Sequence, residues 1–391
     1  MNPIVQQFIR ENASADISKL LLKSGDVADV PMREIVEQII SLNKAKAKTP
    51  FLFHKQNIVF PPKLSMEQCS SELTALYKSG LVSGKKGADL TGGAGIDSYF
   101  LSKNFKQFDY VEQNASLANI TTHNFIALNA NNITTHVGTA EDFLSNERAE
   151  YDFFYIDPSR RSSNQEKVFL FSDCTPNIVE LKSKLLNKAK QVIVKASPLV
   201  DIKKGIEELG NVKEVHVVAV ENECKELLFV LSSHASDSPK IIGSNYTKTK
   251  GWDSFEYLLF EEEQMEATFA LSQKYLYEPN VALMKAGAFK VISHRFKLNK
   301  IHPNSHLYTS EKLLTDFPGR IFEIEQTLKY DKKELIKLLP DKKANITCRN
   351  FPESVQQIRN KTKFKDGGNI YLFATTDMNG KKIILITKKV Q

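Results

Sequence analysis

The chain has 391 residues, 41% hydrophobic and 25% charged, and 53 Lys and Arg against 46 Asp and Glu leave it at +7. That length supports two or three domains. Its four cysteines (69, 174, 224, 348) lie far apart without C-x-x-C spacing, which argues against zinc or a disulfide framework and for reduced thiols. No apolar run approaches eighteen residues, and Met1-Asn2-Pro3-Ile4 lacks the basic-then-apolar plan of a signal peptide. A soluble cytoplasmic protein, without membrane or metal, is the expectation.

Residues 1–80 read as a helical region. Ile35, Val36, Ile39 and Ile40 share one stripe of a helix with Pro31 at its first turn. Lys44, Lys46 and Lys48 form its basic exit, as a solvated face or a phosphate contact. Pro61-Pro62 marks a break, after which Ser65-Met66-Glu67-Gln68 has capping-box spacing for a helix running to Lys78.

Residues 88–97, Ala-Asp-Leu-Thr-Gly-Gly-Ala-Gly-Ile-Asp, then give a strand ending in Asp89, a glycine-rich turn and a helix start. Gly92, Gly93 and Gly95 lack a Cβ, so the backbone can turn sharply and admit a ligand closely. The G-x-G-x-x-G spacing of a dinucleotide site is absent, and no G-K-[ST] follows to make a P-loop. A tight turn without a ligand is the bland alternative. A second strand, Phe108–Glu112, ends in an acid 23 residues after Asp89, near the interval for a ribose-binding carboxylate. A third, Ile133–Gly138, leads to Thr139-Ala140-Glu141-Asp142, where Asp142 suits either an adenine amino group or the first turn of a helix. The fourth, Tyr151–Ile156, stops at Asp157-Pro158, because Pro158 cannot extend a central strand. Asp157 thus projects at the same edge as the glycine loop. An acid before the glycines and an acid after the second strand suit a ligand with a ribose and a cationic amino-acid end. S-adenosyl-L-methionine fits that description.

These elements, in this order, resemble a class I S-adenosylmethionine-dependent methyltransferase over residues 81–235. The later strands lie at Gln191–Lys195, Val215–Val220 and Glu226–Leu231, with the polar connection Glu221–Lys225 between the last two. The resemblance implies an α/β fold: a Rossmann-like seven-stranded core with an N-terminal helical region and C-terminal α+β modules. It implies a cofactor site formed by Asp89, Thr91, Gly92, Gly93, Gly95, Asp97, Glu112, Gln113, Asp142 and Asp157, with Asp157, Pro158 and Arg160 at the chemistry. The core is also similar to the cap guanine-N2 methyltransferases.

Past the turn-rich linker Ser232–Lys240, two modules are expected at 240–320 and 321–391. The second ends in a hairpin, Tyr371–Thr376 with Lys382–Ile386, turning at Asn379-Gly380. Tyr277-Glu278-Pro279-Asn280 with Lys285–Phe289, and Arg349-Asn350-Phe351-Pro352 with Lys365–Asn369, resemble a bacterial group that joins this core to a ferredoxin-like and a THUMP-like module. THUMP modules in other proteins bind structured RNA, so the resemblance implies an RNA methyltransferase acting on tRNA or rRNA. Charge agrees: residues 331–391 hold fourteen Lys and Arg against six acids, a net +8 that exceeds the charge of the whole chain.

The loop after the fourth strand departs from the usual pattern. Amino-group methyltransferases carry Asp/Asn-Pro-Pro and an aromatic residue, whereas this chain has Asp157-Pro158-Ser159-Arg160. Asp157 can still accept hydrogen bonds from a target amine. Arg160 or Arg161 can stack on a base, bind a phosphate, or sit in a solvated loop. Carbon methylation of uridine needs a cysteine nucleophile, and Lys195-Ala196-Ser197-Pro198 offers none. Cys174 reads as a small buried hydrophobe. Nitrogen methylation of an RNA base is therefore the expectation. The alternatives are a non-catalytic RNA-binding or assembly protein that retains the fold, and methylation of a small-molecule or protein amine.

Overall fold

The computed structural model describes residues 2–22, 25–160 and 170–390, with Arg160 described by its backbone alone. The chain divides into two compact units, residues 1–213 with 227–236, and residues 214–226 with 237–391.

Among its described residues, unit 1 opens with six helices: α1 (Pro3–Glu11), α2 (Ile17–Leu22), α3 (Met32–Lys48), α4 (Pro50–His54), α5 (Lys63–Gln68) and α6 (Glu72–Ser79). The α3 stripe is as expected, with Ile35, Val36 and Ile39 buried alongside Leu42 and Ala45. The single helix expected from Ser65 to Lys78 is two. Pro62 caps α5, the chain breaks at Cys69–Ser71, and the Ser71 hydroxyl accepts the Thr74 N–H to start α6. Ser65 lies inside α5, so its capping-box spacing is coincidental. Lys44 pairs with Glu67 at 2.7 Å, and the Lys48 ammonium donates to the carbonyls of Met66 and Glu67. These lysines tie α3 to α5.

The core continues as β1 (Gly84–Asp89), α7 (Ile96–Ser102), β2 (Phe105–Glu112), α8 (Ala115–Ala127), β3 (Ile133–Val137), α9 (Ala140–Asn146), β4 (Tyr151–Ile156), the short β5 (Ser159–Arg160) and β6 (Cys174–Thr175), α10 (Ile178–Lys188), β7 (Ala189–Ala196) and α11 (Ile202–Leu209). Then come β8 (Val212–Val220) and β9 (Glu223–Leu231), joined by Glu221-Asn222 alone, both at positive φ as a two-residue hairpin turn requires. Parallel pairing runs β7-β4-β1-β2-β3, and β9 joins β7 antiparallel. β4 is apolar and buried almost throughout because helices cover the sheet, whereas β1 is buried only over its last three residues and β3 is polar and partly exposed. Ile96 and Phe100 of α7 share a core with α1, α3 and α4, so the N-terminal helices back the helix that follows the glycine loop.

Unit 2 pairs β8 in parallel with β10 (Lys240–Thr247), which pairs antiparallel with β11 (Gly251–Leu258). There follow α12 (Leu259–Gln264), β12 (Tyr275–Pro279), α13 (Val281–Ala286), α14 (Phe289–Arg295), β13 (Asn299–Lys300), β14 (Tyr308–Ser310), β15 (Gly319–Lys329), α15 (Lys332–Leu338), β16 (Asn345–Arg349), α16 (Val355–Thr362), β17 (Ile370–Thr376) and β18 (Lys382–Lys389). The last seven strands form one sheet in the order β13-β14-β12-β15-β18-β17-β16. The β17–β18 hairpin matches expectation, with Gly380 at φ +78° in its turn.

Candidate cofactor and active site

Because β1 pairs in parallel with both β2 and β4, the ends of these three strands lie side by side at one edge of the unit 1 sheet. Asp89, the last residue of β1, is 1% exposed. Its Oδ1 accepts the Thr91 N–H at 3.0 Å and its Oδ2 the Ser98 hydroxyl at 2.6 Å, so it braces the loop from beneath. Burial pushes this carboxyl up to about 7.

The glycines serve different ends. A Cβ on Gly92 would stand 2.1 Å from the Tyr110 ring, and one on Gly95, at φ +73°, 2.3 Å from Thr121. These two let the loop lie on the protein's own core. Gly93, at φ +55°, would meet only the Thr91 carbonyl, at 3.8 Å, and so presents the open face of the loop. Its carbonyl is turned inward, accepting the hydroxyls of Tyr110 at 2.6 Å and Thr121 at 3.2 Å. Its N–H donates to Glu112 Oε2 at 2.8 Å.

Glu112 ends β2 half-buried, and its Oε1 accepts the Asn114 N–H at 2.7 Å. A carboxylate has about four acceptor positions, so two backbone bonds leave capacity for hydroxyl donors. Gln113 beside it is exposed. Asp142 is the third residue of α9: its N–H donates to the Thr139 hydroxyl at 3.1 Å, which donates back to Asp142 Oδ2 at 2.7 Å. Asp142 thus stands in the first turn of α9.

Asp157 follows the last residue of β4. Its N–H donates to Thr91 Oγ1 at 2.6 Å, tying the β4 edge to the glycine loop. Its Oδ2 accepts the Lys195 ammonium. The β4–β7 register explains this pairing: Ile156 lies opposite Val194, so the next residues on the two strands meet. Pro158 is buried, and the Ser159 hydroxyl donates to the Thr175 carbonyl at 3.3 Å. The backbone of Arg160 pairs with Cys174, which is fully buried. The Arg160 side chain and Arg161 lie outside the described residues.

Behind this edge sits a second charged cluster that the sequence did not announce. The Asp97 side chain, 10% exposed, meets the ammonium of Lys78, 0% exposed, at 3.1 Å. Asp97 Oδ2 also accepts the hydroxyls of Ser70 at 2.7 Å and Tyr155 at 2.9 Å, and Lys78 donates to Ser70 at 2.8 Å. Burial alone would raise the Asp97 carboxyl, yet Lys78, Lys195 and the two hydroxyls hold it below its ordinary value. Asp97 thus anchors α7 to α6 and β4. Lys195 and Lys78 were legible only as cations placed in otherwise apolar or helical runs.

Among the described residues no three His, Cys, Asp or Glu side chains gather as a metal site, and no helix is long and apolar enough to cross a membrane.

Residues 275–318 match the model of a ferredoxin-like domain, and residues 319–389 that of a THUMP domain-like module. No curated protein matches the chain at a significant level. Among solved structures, a "putative methyltransferase" from Porphyromonas gingivalis W83 is 33% identical, with a TM-score of 0.89 over 99% of this chain and 98% of that one. An rRNA methylase from Streptococcus thermophilus is 14% identical, covering 41% of this chain and 93% of its own at a TM-score of 0.31. A further "putative methyltransferase", from Streptococcus mutans in complex with SAH, is also 14% identical, covering 41% and 96% at a TM-score of 0.30. The ordered core strands, the two C-terminal domain matches and the full-length likeness agree, and the chain belongs to the family of the Porphyromonas gingivalis protein, in which a class I methyltransferase core precedes ferredoxin-like and THUMP-like domains.

Proposed function

We propose that this protein transfers a methyl group from S-adenosyl-L-methionine to a base nitrogen of structured RNA. The observation that carries the reading is Asp157: an acid at the end of β4, bonded through its N–H to the glycine loop and fixed at its carboxylate by Lys195.

The residues present fit the cofactor. Gly93 offers an open face at the loop, and Glu112 has acceptor capacity at the end of β2, suited to ribose hydroxyls. Asp97 stands inside the α7 anchor, and Asp89 supports the loop that frames the cleft. When bound, S-adenosyl-L-methionine supplies a methyl group made electrophilic by its sulfonium. Asp157 accepts a hydrogen bond from the target N–H, drawing the nitrogen lone pair out of conjugation and stabilising the positive charge that develops. Lys195 holds that carboxylate in one orientation, so that the amine is presented in line. The basic residues 331–391 supply attraction for the RNA backbone. That net of +8 already counts Asp366 and Glu353, which pair with Arg359 and Lys361; two acids from outside the segment lower it further, Glu325 against Lys388 and Glu278 against Arg349.

A second reading is a non-catalytic RNA-binding or assembly protein. Lys195 favours it, since its ammonium already occupies one oxygen of Asp157. Calorimetry with S-adenosyl-L-methionine, followed by turnover on total RNA from a strain lacking the gene, separates the two. Micromolar cofactor binding with methyl incorporation supports transfer. Absence of both supports the second reading.

A further inference from the structure

The ferredoxin-like and THUMP-like segments meet between β12 and β15, and their junction carries a charged group that a packed sheet does not need. Glu278 of β12 lies directly opposite Arg320 of β15. Gly319 makes that approach possible, since a Cβ there would stand 2.2 Å from the Glu278 carbonyl. The Glu278 side chain is 4% exposed. Its Oε2 accepts Arg320 Nε at 2.8 Å and an Arg320 terminal nitrogen, while its Oε1 accepts Arg349 Nε at 3.3 Å and an Arg349 terminal nitrogen at 3.0 Å.

One guanidinium would neutralise a buried carboxylate; here there are two, and the group keeps a net positive charge. The burial is lopsided as well. Glu278 lies underneath, whereas the side chains of Arg320 and Arg349 remain 38% and 37% exposed. A guanidinium has five donors in a fixed fork, and Glu278 engages two nitrogens of each, so donors on both remain for an outside acceptor. The surroundings add donors and cations. His302 Nδ1 accepts the Asn304 N–H at 3.0 Å and faces the Asn350 amide at 3.0 Å, which puts the ring proton on Nε2. His306, stacked on Phe289 at 3.6 Å, is lowered to about 4 by burial and by the positive field of Lys300 and Arg349. Two forks braced side by side, open outward in a positive field, match the oxygens of a phosphate.

We propose that Arg320 and Arg349, braced on Glu278, form a site that grips a phosphate of the RNA backbone. The RNA part of this assignment rests on the function proposed above. A purely structural Arg–Glu–Arg group is the competing account, and it requires no ligand.

The test uses the full chain and two probes. Inorganic phosphate, titrated at constant ionic strength, is followed by thermal unfolding, and structured RNA by fluorescence anisotropy across a salt series. Phosphate is expected to raise the melting temperature saturably in the wild type and not in Arg349→Gln or Arg320→Gln. RNA affinity is expected to fall about tenfold or more in each variant, with the salt slope reduced by about one. Arg349→Lys should keep the slope and lose affinity, because it keeps the charge without the fork. This variant and the wild-type titration remain informative if a glutamine variant does not fold. Absence of a saturable phosphate effect in the wild type overturns the site, as do folded variants that bind RNA like the wild type. Phosphate protection that depends on the arginines, in a wild type that binds no RNA, overturns the assignment to RNA and marks a site for free phosphate.

Discussion

Replacing Asp97 with alanine tests whether the site edge is held by its buried ion pair. The substitution removes the Asp97 carboxylate from the fully buried Lys78 ammonium and takes one acceptor from the Ser70 and Tyr155 hydroxyls. Breaking a buried pair from one side costs about 3–5 kcal/mol. A buried ammonium that loses its counter-ion can instead shed its proton, at about 1.4 kcal/mol per pH unit below the ordinary lysine value. That escape caps the charge part of the loss at about 5 kcal/mol at pH 7 and about 2 kcal/mol at pH 9. For a unit of this size, 4 kcal/mol lowers the melting temperature by roughly 8–16 °C. Urea and thermal unfolding of wild type and Asp97→Ala at pH 7 and pH 9 should therefore show a large deficit that shrinks with rising pH. Adding Lys78→Met to Asp97→Ala should recover much of it. A deficit below about 1 kcal/mol, or one unchanged between the two pH values, would count against a structural role for this ion pair, because neither fits the loss of a buried carboxylate from a buried ammonium.

Other predictions follow from the same edge. Asp89 is raised to about 7, so between about pH 4 and pH 7 the folded chain keeps a proton that the unfolded chain has released, and stability falls as pH rises through that window. Asp89→Asn should flatten this fall of roughly 4 kcal/mol in unfolding series from pH 4.5 to 7.5, and an unaltered slope would count against the assignment. Gly92→Ala drives a Cβ into the buried Tyr110 ring, so it should cost about 1–3 kcal/mol or more and weaken cofactor binding in calorimetry; wild-type affinity would mean that the loop does not frame the site. Lys195→Met should lower kcat about a hundredfold with little change in KM for RNA, and Lys195→Arg should restore part of it. A loss confined to KM would place Lys195 in substrate binding instead.

Much of this arrangement could be read before folding. The apolar run Tyr151–Ile156, closed by Asp157-Pro158, announces β4 by composition, while β1 is mostly Gly and Lys and shows only through its end at Asp89 before the glycines, and β2 starts three residues before the expected Phe108. Short-range signals were less secure. Ser65 with Gln68 three residues later imitates a capping box, yet Pro62 starts that helix and Ser71 starts the next one. Long-range pairings were out of reach. Lys195 meets Asp157 only through the register of β4 with β7, and Lys78 meets Asp97 only because α6 packs on α7. The glycines illustrate the same limit: sequence shows three residues without a Cβ, and only the fold shows that Gly92 and Gly95 face the protein's own rings while Gly93 faces outward.

Methyl transfer to an RNA base, as proposed, runs through the edge that Asp157 occupies. Nucleoside mass spectrometry of tRNA and rRNA reads this transfer out, in a strain lacking the gene and in that strain carrying either the wild-type chain or Asp157→Ala. One methylated base should disappear with the gene, return with the wild type, and stay absent with Asp157→Ala, provided the variant is folded at wild-type abundance. An unchanged set of methylated nucleosides in every stable RNA, or full return with Asp157→Ala, would contradict it.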